Sequence, residues 1–127
     1  MIRDHKDLIV WQKSMDLLVE VYRLVKKLPK EETYALSDQM RRAVVSIPSN
    51  IAEGRGRSSE KDFLRFLFMA RGSRAELETQ ILACIRLNYF EEIEAEPALN
   101  LSSEISSMLN SMINKLSLKL KAQSSKL

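Results

Sequence analysis

The sequence predicts a single all-α domain, folded as an antiparallel up-and-down four-helix bundle. Its 127 residues are 45% hydrophobic and 29% charged, which is enough for one domain with a core of its own. Only three glycines and three prolines are present, too few for a turn-rich β fold. Hydrophobic residues recur three and four positions apart in four segments, and short connections between such segments favour antiparallel neighbours.

The first two helices are predicted at about residues 7–27 and 33–53. The hydrophobic stripe of the first consists of Leu8, Trp11, Met15, Leu18, Tyr22 and Val25. The stripe of the second consists of Leu36, Met40, Ala43, Ile47 and Ile51. Pro48 lies inside the second helix, where the missing N–H predicts a kink. Gly54 is expected just past the end of this helix.

The third and fourth helices are predicted at about residues 59–87 and 94–120. Ser58-Ser59 is expected to supply the N-cap of the third helix, and Asn88 is expected to end it. Gly72 lies in its middle, where a glycine allows a neighbouring helix to approach closely or is merely tolerated. The stripe of the fourth helix consists of Leu101, Ile105, Met108, Met112, Leu116 and Leu120, with Pro97 in the first turn.

The predicted core combines the large residues of these stripes. The side chains expected to be mostly buried are Trp11, Tyr22, Met40, Ile47, Phe63, Leu77, Ile81, Met108 and Met112. Around residues 63–70 the third helix is apolar on almost every side, which indicates contacts on two sides. The second contact is either a neighbouring helix of the same bundle or another subunit. The candidate subunit-interface residues are Val44, Val45, Leu64, Phe66 and Phe68.

No catalytic or metal-binding pattern is present in the sequence. His5 is the only histidine, which excludes the Glu-x-x-His pairs of di-iron bundles. Cys84 is the only cysteine and lies on the apolar face of the third helix, as a core residue would. We therefore expect neither an enzyme nor a bound cofactor or metal. A lone cysteine, no apparent signal peptide and no apolar run of about 20 residues predict a cytoplasmic protein without a membrane segment.

Positive charge is concentrated between residues 41 and 74. Eight basic and three acidic residues give this stretch a net charge of +5, against +3 for the whole chain. Arginine, which dominates there, suits both bidentate phosphate contacts and ordinary ion pairs. The candidate phosphate-binding residues are Arg41, Arg42, Arg55, Arg57, Lys61 and Arg65. In the alternative interpretation, several of them pair with Glu53, Glu60 and Asp62 and tie helices together.

Two functions follow from these observations. The first is an oligomeric binding module for nucleic acid, structured RNA above all. The second is an oligomer that docks another protein without nucleic acid. Salt-sensitive RNA binding would separate the two.

Several motifs resemble one known family. They are Tyr34-Ala35-Leu36-x-x-Gln39-Met40-Arg41-Arg42-Ala43, Ser46-Ile47-Pro48-Ser49-Asn50-Ile51-Ala52-Glu53-Gly54, and Phe63-Leu64-x-Phe66-Leu67-x-x-Ala70-x-Gly72-Ser73-x-x-Glu76-Leu77-x-Thr79-Gln80. The chain resembles the bacterial four-helix bundles called 23S rRNA-intervening sequence proteins or S23 ribosomal proteins, and it is similar to the accessory bundle protein of diversity-generating retroelements. The resemblance implies a ring, typically a homopentamer, and carries over no catalytic residue.

Overall fold

The computed structural model describes residues 4–125. Within them the chain is helical, with no β-strand, which confirms the all-α prediction. The four long helices are α1 (Ile9–Val25), α2 (Leu36–Arg55), α3 (Glu60–Arg86) and α4 (Glu92–Ser125). Two short 3-10 turns, His5–Asp7 and Lys30–Glu32, precede α1 and α2. No helix of this part of the chain combines the length and apolar content that a membrane span requires.

The helices pack in the order of the chain around a square. Each helix packs against the next, α4 also packs against α1, and the backbones of the diagonal pairs lie farther apart. Contacts between α2 and α3 show the antiparallel direction, because Ser46 meets Ser73 while Met40 meets Cys84. An up-and-down bundle follows from this packing.

The buried face of α1 differs from the predicted stripe. Val10, Ser14, Leu17 and Val21 face the core, so the buried stripe lies one residue away from the predicted one. Tyr22 is 39% exposed, and its predicted burial is wrong. The true stripe was hard to recognise because a serine interrupts it. The Ser14 hydroxyl donates to the carbonyl of Val10 at 2.6 Å, which satisfies a polar group inside the core.

The rest of the predicted core divides into two groups. Met40, Ile47, Leu77 and Ile81 are completely buried, as predicted. The others lie at the edge of the core and are only partly buried: Trp11, Phe63, Met108 and Met112.

Helices α2 and α3 approach each other closely at Gly54. A Cβ atom there would lie 2.6 Å from the Cβ of Phe66 and 3.0 Å from Phe63 Cδ1. Gly54 is therefore a buried residue inside α2, and its predicted position past the helix end is wrong. Of the two roles expected for Gly72, the close approach of a helix is not seen within this chain, since a Cβ there would meet nothing within 4 Å.

A small polar network lies between α2 and α3. The amide of Asn50 donates to the Ser46 carbonyl at 2.8 Å and to its hydroxyl at 2.9 Å. The hydroxyls of Ser46 and Ser73 are 2.8 Å apart. Pro48 is buried on the same helix. The kink that we predict at this proline stays a prediction.

The ends of α3 follow the sequence signals. The Ser59 hydroxyl accepts the N–H of Asp62 at 3.1 Å, as an N-cap does. Asn88 adopts a left-handed conformation with φ 62°, and the N–H of Tyr89 donates to the carbonyl of Cys84 at 3.0 Å, closing a Schellman motif. Helix α4 begins at Glu92, so Pro97 is its sixth residue and lies beyond the predicted first turn.

Glu94 links the start of α4 to Lys27, just past the end of α1. The backbone N–H of Glu91 donates to this carboxylate at 2.9 Å, and Lys27 pairs with it at 2.7 Å. These two contacts lower the pKa of Glu94. The unfolded chain, with a glutamate pKa of about 4.3, takes up the proton first as the pH falls.

We therefore expect Glu94 to stabilise the fold fully above about pH 4.3, the unfolded value, and to lose this effect as the pH drops through its folded pKa. Urea unfolding between pH 3 and pH 7 measures the loss. Glu94→Gln should flatten this dependence, whereas Glu92→Gln, two residues earlier and without an ion pair among residues 4–125, should leave it unchanged. Equal profiles for the two variants would contradict the role of Glu94.

Candidate nucleic-acid interface

The bundle is electrically polarised along its axis. Helix α2 ends, α3 begins and α4 ends on the same side, which we call the basic end. The half that contains it, residues 4–17, 47–73 and 107–125, carries ten lysines and arginines against six carboxylates. The other half, residues 18–46 and 74–106, carries eight against eleven. An anionic ligand is therefore attracted to one end of the molecule.

Two arginines at the basic end stack on one aromatic ring. The guanidinium carbon of Arg57, just after α2, lies 5.1 Å from the ring centre of Phe66. The guanidinium carbon of Arg65, on α3, lies 4.7 Å from the same ring centre. Each cation–π contact of this kind is worth about 0.5–1 kcal/mol at an exposed site. The ring thus restricts two mobile cations to neighbouring positions.

The ion pairs of these arginines are exposed and local. Arg57 pairs with Glu53 at 2.7 Å, and Arg65 pairs with Asp62 at 3.7 Å. Each pair joins residues three or four positions apart, so neither ties two helices together. Exposed pairs contribute little stability and are screened by salt, which leaves these arginines able to exchange partners.

Arg55 and Lys61 lie beside this pair at the α2–α3 connection. Neither makes an ion pair with any residue of the described range 4–125. Arg55, Arg57 and neighbouring Ser58 and Ser59 line a shallow cavity there. Four of the six predicted phosphate-binding residues are therefore gathered at one end.

Helix α4 adds lysines that the sequence prediction left out. Lys119 pairs with Glu60 at 2.9 Å, which places the end of α4 beside the start of α3. Lys115 and Lys121 are exposed on the same stretch. Only the antiparallel topology could have indicated this, because these lysines lie more than 50 positions from Lys61 in the sequence.

Arg41 and Arg42 are not part of the basic end. Thirteen residues separate Arg42 from Arg55, or roughly 20 Å along a helix. Arg42 pairs with Asp38 at 3.0 Å, and Arg41 donates to the carbonyl of Thr33 at 3.4 Å. The four other candidate residues therefore form a cluster at one end, and Arg41 and Arg42 lie farther along α2, as their positions in the sequence predict.

Arg74 has a structural role between α3 and α4. Its side chain is only 12% exposed, pairs with Glu78 at 3.1 Å and donates to the Ser102 hydroxyl at 2.9 Å. Because these contacts occupy its guanidinium group, Arg74 is not available to bind a ligand.

The candidate subunit-interface residues also separate into two groups. Val44 is completely buried in the core of its own chain, and Phe66 is covered by α2 and by the two arginines. These two residues cannot be reached by a second subunit, so the expectation for them is corrected. Val45 and Phe68 are exposed, and Leu64 is partly buried.

Cysteine and histidine are common in catalytic sites, but here Cys84 and His5 contact other side chains of the bundle. Burial, and to a lesser degree the charge of Glu32, raises the pKa of the Cys84 thiol to about 11, and this thiol packs against the sulfur of Met40. The ring of His5 stands edge-on to Trp11, with 5.2 Å between ring centres. No group of three or more potential metal ligands occurs within residues 4–125.

The comparison with protein families identifies the relatives of this bundle. Residues 6–111 match the family model described as 23S rRNA-intervening sequence protein. The chain belongs to this family. The resemblance seen in its motifs is thereby confirmed. The buried glycine and the serine–asparagine network of α2 lie within the matched residues, whereas Lys115, Lys119 and Lys121 lie beyond them.

A solved structure supports the same relationship. It is a protein of unknown function from the S23 ribosomal protein family of Bacteroides thetaiotaomicron, 32% identical to this chain, with a TM-score of 0.76. The alignment covers 83% of this chain and 98% of that one. The comparison with curated proteins found no match to this chain.

Proposed function

We propose that this chain is a non-enzymatic, oligomeric module that binds nucleic acid, structured RNA in particular, through its basic end. The observation that carries the proposal is the pair formed by Arg57 and Arg65 on the ring of Phe66, beside Arg55 and Lys61, which make no ion pair within residues 4–125. A phosphate that enters this cluster meets guanidinium groups whose positions are already restricted. Less conformational freedom is then lost on binding.

The arrangement favours the phosphate backbone over base recognition. Phe66 is only 7% exposed, because the two arginines cover its ring, and it is not available for a base to stack on. Arginine and lysine contacts to phosphates release counterions and carry little sequence information. A folded RNA presents closely spaced phosphates to such a surface. The family description, which names 23S rRNA, makes RNA the first polyanion to test.

An oligomer would multiply this surface. One subunit presents only a few phosphate contacts, which by themselves bind weakly at physiological salt. Several basic ends on one side of an assembly would act together, and avidity would then raise the overall affinity. We propose that assembly into a ring serves to bring several basic ends together on one side. The expected location is the cytoplasm, where RNA is available.

The test is a filter-binding titration of a structured RNA over a series from 50 to 300 mM salt. We expect Arg57→Glu with Arg65→Glu to lower the affinity at least tenfold at the lowest salt and to reduce the slope of log affinity against log salt, because each lost phosphate contact removes roughly 0.9 from that slope. The matched control is Lys26→Glu with Lys30→Glu. It changes the net charge equally at the opposite end and should retain most of the affinity.

Equal losses in the two double variants would mean that net charge alone attracts the RNA. An absence of binding by the unaltered protein at 50 mM salt would contradict the proposal altogether. A ring that docks another protein would then be the remaining function, and capture of one protein partner without RNA would identify it.

A further inference from the structure

A small cavity lies at the connection between α2 and α3, and we call it the connection cavity. Its polar lining consists of Arg55, Arg57, Ser58, Ser59 and Glu60. Its volume is about 140 Å³, well below the roughly 300 Å³ at which pockets for drug-sized ligands begin. The cavity therefore suits one small polar group that accepts hydrogen bonds from arginine and serine.

Most donors around the connection cavity are free to bind such a group. A guanidinium group has five N–H donors, and Arg57 uses only one of its nitrogens for Glu53, at 2.7 Å. Arg55 makes no ion pair within residues 4–125, and the Ser58 hydroxyl makes no hydrogen bond in that range. The Ser59 hydroxyl accepts a backbone N–H as the cap of α3, and its own hydrogen stays available. Four side chains therefore offer donors to one small space.

The charged groups at the connection cavity leave an excess of two positive charges. The carboxylate of Glu60 is offset by Lys119, which pairs with it at 2.9 Å. Three cations remain, Arg55, Arg57 and Lys61, against the single carboxylate that pairs with Arg57. A ligand group that carries two negative charges therefore matches the site better than a group that carries one.

A phosphate at the end of a nucleic-acid chain carries this charge. Such a phosphomonoester has a second pKa of about 6, so it holds about −1.5 to −2 charges at pH 7, and it presents three acceptor oxygens. A phosphate inside the chain is a diester with a single negative charge and only two free oxygens. The monoester can therefore accept hydrogen bonds from both arginines and a serine at once, whereas the diester leaves donors unused.

The connection cavity is closed on the side of the bundle. Gly54 and Phe63 line it there, and a Cβ atom on Gly54 would lie 2.6 Å from the Cβ of Phe66. Because α2 and α3 pack so closely, a nucleic-acid chain cannot continue between them. An internal phosphate would force the chain to fold back sharply, whereas a terminal phosphate has the chain on one side only. Arg65 and Lys115 lie at the same end, where they can contact the phosphates that follow.

We propose that the connection cavity binds the phosphomonoester at the end of an RNA chain, while the other cations of the basic end bind the strand behind it. The inference rests on the proposed function, because it assigns one kind of phosphate to a surface that binds phosphates in general. It adds selectivity, since chain ends with a phosphate are bound in preference to chain ends with a hydroxyl. Inorganic phosphate has the same chemistry but no strand, so it binds far more weakly than a phosphorylated RNA.

The test compares one structured RNA in three forms: with a 5′-phosphate, with a 3′-phosphate, and with hydroxyl groups at both ends. Fluorescence anisotropy of an internally labelled RNA measures the affinity of each form. At about pH 7.5 we expect the unaltered protein to bind at least one phosphorylated form about tenfold more tightly than the hydroxyl form. The preference should shrink at about pH 5.5, because the monoester takes up a proton below its second pKa of about 6 and loses one charge.

Two variants with equal changes in charge locate the terminal phosphate. Arg55→Gln removes a guanidinium group that lines the cavity and should abolish the preference for the phosphorylated form. Arg65→Gln is the matched control, because Arg65 contacts Phe66 but does not line the cavity. It should weaken the binding of all three forms alike and keep the preference. Ser58→Ala leaves the charge unchanged and should reduce the preference in part. Circular dichroism with thermal melting confirms that the variants fold.

The outcomes separate this inference from the proposed function. Equal binding of the three RNA forms by the unaltered protein would overturn the inference and leave the proposed function standing. The inference also fails if Arg55→Gln keeps the preference, or if inorganic phosphate displaces the phosphorylated RNA at micromolar concentration, since the site would then serve a free phosphate. If none of the three forms binds, the proposed function and the inference both fail.

Discussion

Replacing Leu77 by alanine is expected to lower the free energy of unfolding by about 2–5 kcal/mol. Leu77 is completely buried at the middle of α3, where the side chains of all neighbouring helices converge on the core. The loss combines the hydrophobic contribution of the removed atoms with the cost of the cavity that remains. Urea unfolding followed by circular dichroism measures it, with the slope of the transition checked for two-state behaviour.

Leu118→Ala is the matched control for this change. Leu118 lies on α4 and is 68% exposed, so the same atoms are removed from a site that is already in water. We expect a change within about 0.5 kcal/mol. Similar losses at the two positions would mean that Leu77 is not part of the core.

Gly54→Ala is expected to destabilise the fold by about 1–3 kcal/mol, even though alanine is the better helix former. The added Cβ would lie 2.6 Å from the Cβ of Phe66, a backbone-anchored atom that cannot move aside without α3. The two helices must therefore separate, and their contacts along the whole interface weaken. Thermal and urea unfolding report the loss.

Gly56→Ala adds the same methyl group two residues later. There the nearest atoms are backbone oxygens at 3.5 and 3.6 Å, and φ is −79°, which alanine adopts freely. We expect little change or a small gain in stability. If Gly54→Ala were as harmless as Gly56→Ala, the close approach of α2 and α3 would be contradicted.

The pair on Phe66 shows why the candidate site could be predicted only in part. The sequence indicates that Arg57 and Arg65 belong to a basic stretch, because the charge of a stretch can be counted from its residues without knowledge of their contacts. The sequence does not indicate that the ring of Phe66 contacts both guanidinium groups. Phe66 itself was predicted to lie in a subunit interface. That assignment failed because an apolar side chain on a crowded helix has several possible partners, and the close packing at Gly54 decided which it meets.

The sequence by itself determined the helical class, the four segments and the ends of α3. Periodicity, a serine cap and the left-handed Asn88 are local signals, since they depend on residues within one or two turns of each other. These signals can therefore be recognised in the sequence without knowledge of the rest of the fold.

Only the tertiary structure decided which face of α1 is buried. Helix α1 carries two apolar stripes one residue apart, and the packing of α2 and α4 against it selects the one with Ser14 and leaves Met15 and Tyr22 exposed. In the same way, the antiparallel register brings Lys119 of α4 to Glu60 of α3. The physical reason is that a side chain's environment depends on the height and rotation of neighbouring helices, which are set by the packing of the whole core.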